Sequence, residues 1–375
     1  MHTDVLIIGA SVAGLSTAAA LQKRGIPYTI IEKADRVGAP WHQHYHRLHL
    51  HTPKGFSNLP FKKFPHTIPR YPSRQQVIDY LEDYRCTFNI DPVFHTEALS
   101  ITRENGRWQT GTNNGLILST HLVMATGAYT KPKPIDFKGA ATFPGILIHS
   151  NQFRTGRDFK GQTVLVVGFG NSACEIAIDL REQGARPAMS VRSPINIVPR
   201  DVFGISVLRL SALLSPLPPR IADTISSPLM KALIGDISKL GLKRMPYGPL
   251  EEISRDGNPP ILDIGAIRLI RQGHIKVRPN IDHIDGNTVC FTDGSRQPFN
   301  AIIAAIGYYR DYDKILHVDP ARFDDLKYPA ARQRYFGVDG LYFCGYWISP
   351  TGQFRTIASD ALRIAKHIAA QKVSP

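Results

Sequence analysis

Two glycine-rich turns, each set between an apolar run and a stretch of small residues, constrain this 375-residue chain more than any other feature. The first follows Asp4-Val-Leu-Ile-Ile and reads Gly9-Ala-Ser-Val-Ala-Gly14; the second follows Thr163-Val-Leu-Val-Val and reads Gly168-Phe-Gly-Asn-Ser-Ala173. A short unbroken apolar run suits a parallel strand buried on both faces. Each turn then opens a helix, Leu15 to Arg24 and Cys174 to Arg181, closed by Gly25 and Gly184. A second apolar run follows each, Tyr28-Thr-Ile-Ile31 and Ala188-Met-Ser-Val191. In such a strand–turn–helix unit the glycines permit a tight turn and close helix packing. The helix N-terminus then offers free N–H groups to a pyrophosphate.

Two such units predict an α/β fold of two doubly wound, Rossmann-like dinucleotide-binding domains. The acids and bases that follow them separate the ligands. Glu32 ends the second strand of the first unit, where a carboxylate accepts hydrogen bonds from a ribose, and a loop at the extreme N-terminus fits the adenosine half of FAD. Its middle glycine is replaced by Ser11, small enough to let phosphate approach and able to hydrogen-bond to it. The corresponding strand of the second unit ends in Arg192-Ser193. An acid there would repel a 2′-phosphate, whereas an arginine offers it a charge-assisted fork, which favours NADPH over NADH. Gly168, Gly170, Asn171 and Ser172 are the loop residues expected at that pyrophosphate.

A chain of this length suggests two domains, and 43% hydrophobic with 20% charged residues reads as globular. Met1–Asp4 enters a strand at once, without a basic region or cleavage site, and no apolar run approaches the ~18 residues a membrane span needs. Cys86, Cys174, Cys290 and Cys344 stand far apart, which suits a reducing cytoplasm and argues against a C-x-x-C redox pair. The formal charge of +14 comes from scattered basic residues without an aromatic-interleaved patch. It reads as a solvated surface that draws in an anionic cofactor, and a nucleic-acid role is not expected.

Between the loops lies Phe143-Pro-Gly-Ile-Leu-Ile-His-Ser-Asn-Gln-Phe-Arg154. It resembles the identifying pattern of the flavin-containing monooxygenases, F-x-G-x-x-x-H-x-x-x-[YF]-[KR]. Tyr45-His-Arg-Leu-His-Leu-His-Thr-Pro-Lys54, Gly248-Pro-Leu250 and Ile261-Leu-Asp-Ile-Gly265 resemble the plant YUCCA branch, so the likeness covers most of the chain. It implies FAD over 1–150 and 299–375, with the NADPH domain inserted at 160–298. It also implies reduction of FAD by NADPH and formation of a C4a-(hydro)peroxyflavin. That species oxygenates a small organic substrate, either a soft N or S nucleophile or a carbonyl such as the α-keto acid indole-3-pyruvate. By the same analogy Trp41, Leu50, Thr126, Gly127, Thr351, Gly352 and Gln353 lie by the flavin, and Gly307 by NADPH. His51 stands where animal members carry Asn, and is expected to approach the flavin and donate a hydrogen bond; packing beneath the FAD is the other reading. His149 is expected to orient the linker.

Other features stay open. An NADPH-dependent reductase or oxidase, passing electrons to another acceptor or to O2 as H2O2, is the alternative function. His42, His44, His46, His49 and His51 raise a metal hypothesis, but no Cys, Asp or Glu accompanies them. Alternate strand positions would put these histidines on one face near the flavin, and no metal is expected. Within the second domain, residues 203–242 form a Leu-, Ile-, Ser- and Pro-rich insertion. It is open to reading as a substrate lid, a dimer contact, a membrane-surface helix or ordinary packing. An oligomer is compatible with the sequence.

Overall fold

A computed structural model describes residues 1–127, 131–214, 216–309, 314–318, 337–347 and 351–371. The chain divides into two compact units. One comprises Met1–His42, Thr52–Lys131 and Tyr309–Pro375; the other comprises Gln43–His51 and Pro132–Tyr308.

The first unit is built on a six-stranded sheet in which His2–Ile8 lies second from one edge. Val5, Leu6 and Ile7 are fully buried, as the two-sided apolar run requires. This strand pairs in parallel with Thr29–Ile31 on one side and Gly115–Met124 on the other, in the register Leu6↔Leu122 and Ile8↔Met124. Leu341–Phe343 also joins Gly115–Met124 in parallel. Ala98–Glu104, Arg107–Thr112 and Gly115–Met124 continue as an antiparallel meander. Its first hairpin turns at Asn105-Gly106, both at positive φ, the pair that a two-residue turn favours. The helix Val12–Gln22 is buried along its whole length except at its end. Its alanines let it lie flat between the sheet and the closing helix Gln353–Gln371, whose Phe354, Ile357, Ala361, Ile364 and Ile368 form one buried stripe.

The second unit holds a five-stranded, wholly parallel sheet in the order Lys276–Arg278, Arg186–Ser190, Thr163–Val167, Ala301–Ala304, Ile146–His149. The helix Asn171–Glu182 packs its apolar face on it, and a three-stranded antiparallel sheet spans residues 281–298. The bounds of this unit differ from the 160–298 expected. Ala301-Ile-Ile-Ala304 is apolar on both faces and finds a neighbour on each side, Thr163–Val167 and Ile146–His149, so both flanking segments join this sheet. Gln43–His51 belongs to this unit without joining its sheet; Tyr45 is buried against Phe153. The segment expected as an insertion holds a short hairpin, the helices Val207–Leu214 and Pro219–Ile234, and a turn at Ser238–Leu240.

Candidate functional site

In the first unit the strand His2–Ile8 delivers Gly9 at φ +101, where a Cβ would stand 2.8 Å from the Ala125 carbonyl oxygen. Gly14 is more constrained: a Cβ there would lie 1.8 Å from the Gly9 carbonyl oxygen, so only glycine lets the helix close on the turn. Ser11 occupies the N-cap position without a side-chain capping bond, which leaves the first N–H groups of the helix to another acceptor. Glu32 is buried, with Oε2 accepting from the Ala10 N–H at 2.8 Å and Oε1 from the Ala34 N–H at 3.0 Å. These two bonds hold the carboxylate against the loop and leave lone pairs on each oxygen for hydroxyl donors.

The carboxyl end of Gly115–Met124 lies beside this loop. There Gly127 sits at φ +79 with no protein atom within 4 Å of where its Cβ would be. The preceding Thr126 pairs its hydroxyl with that of Tyr346 at 2.5 Å. Gly352, at φ +105, packs on Thr52, and Gln353 donates from Nε2 to the Gly345 carbonyl at 2.9 Å. Thr351 is half-buried ahead of the closing helix, while Ser349 and Pro350 of the expected motif lie outside the described residues. Trp41 stacks edge-on against Phe354 at 5.7 Å, and Arg74 reaches its carbonyl. Leu50, expected with this group, is buried within the second unit.

The second loop repeats the device. Gly168 turns at φ +116 with its Cβ position 2.5 Å from the Ala305 carbonyl oxygen. Gly170 caps the helix Asn171–Glu182 with extended backbone and no side-chain bond, and a Cβ there would meet nothing within 4 Å. Gly307, at φ +88, is equally open. Asn171 does not face this space with a free amide: its Nδ2 donates to the Pro260 carbonyl at 3.3 Å and its Oδ1 accepts from the Leu262 N–H at 2.8 Å, bracing the loop on Ile261–Asp263. Ser172 is exposed and hydrogen-bonds the Tyr45 hydroxyl, whose phenol is pushed up by burial and stays protonated. Arg192 and Ser193 stand exposed beyond Arg186–Ser190.

The Phe143–Arg154 stretch braces this same unit. Phe143 and Phe153 are buried, and Gly145 passes so close to the backbone that a Cβ would lie 2.2 Å from the Asn300 carbonyl oxygen. His149, buried at the end of its strand, spends both ring nitrogens. Nδ1 accepts from the Asn151 N–H at 3.2 Å, and Nε2 donates to the Gly307 carbonyl at 3.1 Å. Its role is therefore to hold Gly307, within one unit.

The histidine-rich segment is not a strand. Ala39–Gln43 is a short helix and residues 44–51 form no continuous strand, so the alternation expected to put His42, His44, His46, His49 and His51 on one face of a strand is not present. Side-chain anchors replace strand pairing here: Tyr45 inserts beside Phe153, and Arg47 forks onto Glu182 at 2.8 and 3.1 Å while reaching Glu175 at 2.9 Å. His51 Nε2 lies 2.6 Å from the other Glu175 oxygen. Glu175 is fully buried on the second-loop helix, one turn past Gly170, and the sequence reading missed it. The signal was an acid in the otherwise apolar run Cys174-Glu-Ile-Ala-Ile178, a place where a carboxylate needs a partner. Facing a carboxylate, Nε2 is the nitrogen that carries hydrogen, so a neutral ring presents Nδ1 as an acceptor. The hydrogen on Nε2, which the expected donor role of His51 could have used, faces Glu175.

Among the described residues no helix is long and apolar enough to cross a membrane. Residues 6–202 match the family described as pyridine nucleotide-disulphide oxidoreductase. The chain is 35% identical over 373 residues to indole-3-pyruvate monooxygenase YUCCA1 of Oryza sativa subsp. japonica, covering 98% of this chain and 91% of that protein. It is 39% identical over 307 residues to probable indole-3-pyruvate monooxygenase YUCCA4 of Arabidopsis thaliana, covering 81% and 75% respectively. Its fold resembles that of a flavin-containing monooxygenase from Stenotrophomonas maltophilia, with a TM-score of 0.71 at 19% identity over 99% of both chains.

Proposed function

The chain belongs to the flavin-containing monooxygenases, in their YUCCA-like branch, and is an enzyme that uses FAD and NADPH; from that premise we propose that it oxygenates an α-keto acid of the indole-3-pyruvate kind. In this reaction the keto acid, O2, NADPH and a proton give the acid one carbon shorter, CO2, NADP+ and water. Bound FAD, reduced by NADPH, supplies the activation of O2. The protein supplies position, charge and exclusion of water.

In this reading Gly9, Ser11, Gly14 and Glu32 hold the adenosine half of FAD, and Trp41, Thr126, Gly127, Thr351, Gly352 and Gln353 line the remainder. Gly168, Gly170, Ser172 and Gly307 cradle NADPH in an inserted domain braced by Asn171, while Arg192 and Ser193 take the 2′-phosphate. Glu175 fixes the ring of His51, whose Nδ1 is left as a hydrogen-bonding atom toward the reacting groups. The observation that carries the reading is that one chain holds two strand-end glycine cradles. Gly127 on the first, and Gly170 and Gly307 on the second, face no protein atom within 4 Å. A reductase with a C-x-x-C dithiol beside its flavin is disfavoured, because Cys86, Cys174, Cys290 and Cys344 form no such pair.

The test compares NADPH oxidation with NADH oxidation, each with indole-3-pyruvate, a thioether and no substrate. The reading expects NADPH to be preferred and the keto acid alone to yield product. Product from the thioether alone would move the substrate class to soft nucleophiles, and equal use of NADH would remove the role given to Arg192.

A further inference from the structure

The carboxyl edge of the second unit's parallel sheet carries a cation that the nucleotide reading above does not use. Lys276–Arg278 pairs in parallel with Arg186–Ser190 in the register Arg278↔Ser190, and the Val191 N–H then donates to the Arg278 carbonyl at 2.9 Å. Arg278 is thus the last residue of its strand, on the strand next to the one that runs out into Arg192. Neighbouring strands stand about 4.8 Å apart, so arginine side chains from these two ends are within reach of one phosphate group. Residues in register present their side chains on one face of a sheet. For Ser190 and Arg278 that face lies toward the antiparallel sheet of residues 281–298, because Ala188, two before Ser190, is buried with Ile281, Val289 and Phe291. Arg192 follows Ser190 by two residues.

The Arg278 guanidinium is held in place without being neutralised. Nε and Nη2 both donate to the Gln297 Oε1, at 3.1 and 2.7 Å, and the group lies over the Phe291 ring at 5.9 Å. Gln297 is an uncharged partner, and a single oxygen takes both bonds. The remaining N–H groups of the fork find no protein acceptor among the described residues. Asp293, whose carboxylate the Arg278 charge reaches, is engaged by Ser295: its Oδ1 accepts from the Ser295 N–H and hydroxyl at 2.9 and 2.6 Å. Arg278 is half-buried whereas Arg192 is exposed, so its fork is more restricted and its charge less screened. An ordered arginine fork with unused donors suits a dianionic group of several oxygens. The carboxyl ends of such a parallel sheet are also where this kind of fold takes its nucleotide.

We propose that Arg278 is a second cation of the NADPH 2′-phosphate subsite, a positioned charge beside the exposed Arg192, and that it strengthens the preference for NADPH over NADH. This rests on the reading that puts the 2′-phosphate at Arg192, and adds to it a residue far along the chain that the spacing of the glycine loop does not point to. Gln297 is then a positioning residue that aims the fork from the neighbouring antiparallel sheet.

The test is isothermal titration calorimetry of the oxidised holoenzyme with NADP+ and with NAD+, for the wild-type protein, Arg192→Ala, Arg278→Met and Arg278→Lys. Arg278→Met keeps an aliphatic stem against Phe291 and removes the fork. It is expected to weaken NADP+ about tenfold and to leave NAD+ within about twofold. Arg278→Lys keeps the charge without the fork and is expected to weaken NADP+ alone by about threefold, which supplies the measurement if Arg278→Met does not fold. Equal weakening of both nucleotides overturns the proposal, since that is the mark of a brace between the two sheets; so does unchanged affinity for both. If Arg192→Ala abolishes the preference for NADP+ while both Arg278 variants keep it, the reading of Arg192 stands and this inference alone falls. A wild-type protein that binds the two nucleotides equally overturns both.

Discussion

Substituting Gly170 by alanine separates what the second loop does for the fold from what it does for a ligand. Gly170 lies at φ −83 and ψ 179, which alanine adopts without strain, and its added Cβ would meet no protein atom within 4 Å. Alanine is a poorer N-cap than glycine by roughly half a kcal/mol. Against this, restricting the unfolded chain returns about 0.4–1 kcal/mol. The net change in stability is thus within about 0.5 kcal/mol, a shift of less than about 2 °C for a unit of this size. If the open space is where the NADPH pyrophosphate lies, the methyl group enters a filled site at a cost of about 1–3 kcal/mol. That raises the Kd for NADPH roughly 5- to 150-fold. Gly168→Ala is the contrast: its Cβ would stand 2.5 Å from the Ala305 carbonyl oxygen at φ +116, so it should lose stability and binding together. Calorimetry and anaerobic NADPH titration read the two quantities. Wild-type NADPH affinity in Gly170→Ala refutes the placement of the phosphate, and a large fall in its melting temperature refutes the reading of the space as open.

Gly14→Ala, with a methyl group 1.8 Å from the Gly9 carbonyl oxygen, should purify with at least about tenfold less flavin per chain, measured by the visible absorbance of the released cofactor. Arg192→Ala should raise KM for NADPH by about tenfold, a discounted value for an exposed side chain, and leave NADH unchanged. Glu175→Leu removes the shared acceptor of Arg47 and His51, whose side chains are 22% and 19% exposed. Breaking a fully buried pair costs about 3–5 kcal/mol; partial exposure and the remaining Glu182 fork reduce this to about 2–3 kcal/mol, seen in denaturant unfolding. Glu175→Gln, which keeps an acceptor, should restore most of it, and equal stability of the two variants would count against the network.

Much of this was written in local sequence. The two apolar runs, Gly9, Gly14, Gly168 and the helices behind them follow from spacing alone, because the constraint at each glycine comes from a neighbouring turn. Glu32 was legible for the same reason, since it follows a strand next to the loop it bonds. What escaped was long-range. Glu175 is 124 positions from His51, and nothing in either neighbourhood names the other. The placement of Ile146–His149 and Ala301–Ala304 in the second sheet depended on strand pairing, and periodicity does not disclose partners. The histidine-rich segment misled because alternation suggests a strand, whereas the burial of Tyr45 and the reach of Arg47 decided its path. In the insertion, the apolar content of 203–242 was visible, but only packing of the Asp223 side revealed which helix face stays in water.

The central claim is that flavin-activated O2 is delivered to the carbonyl carbon of a keto acid, and isotope incorporation tests it most directly. The enzyme is turned over with NADPH and indole-3-pyruvate under 18O2, and the carboxylic acid product, CO2 and H2O2 are quantified against NADPH consumed. The account predicts one 18O atom in the shortened acid, one CO2 released per product, and little H2O2 while the keto acid is present. Stoichiometric H2O2 from NADPH, with no labelled acid whatever substrate is added, would contradict it and leave an NADPH oxidase on the same fold.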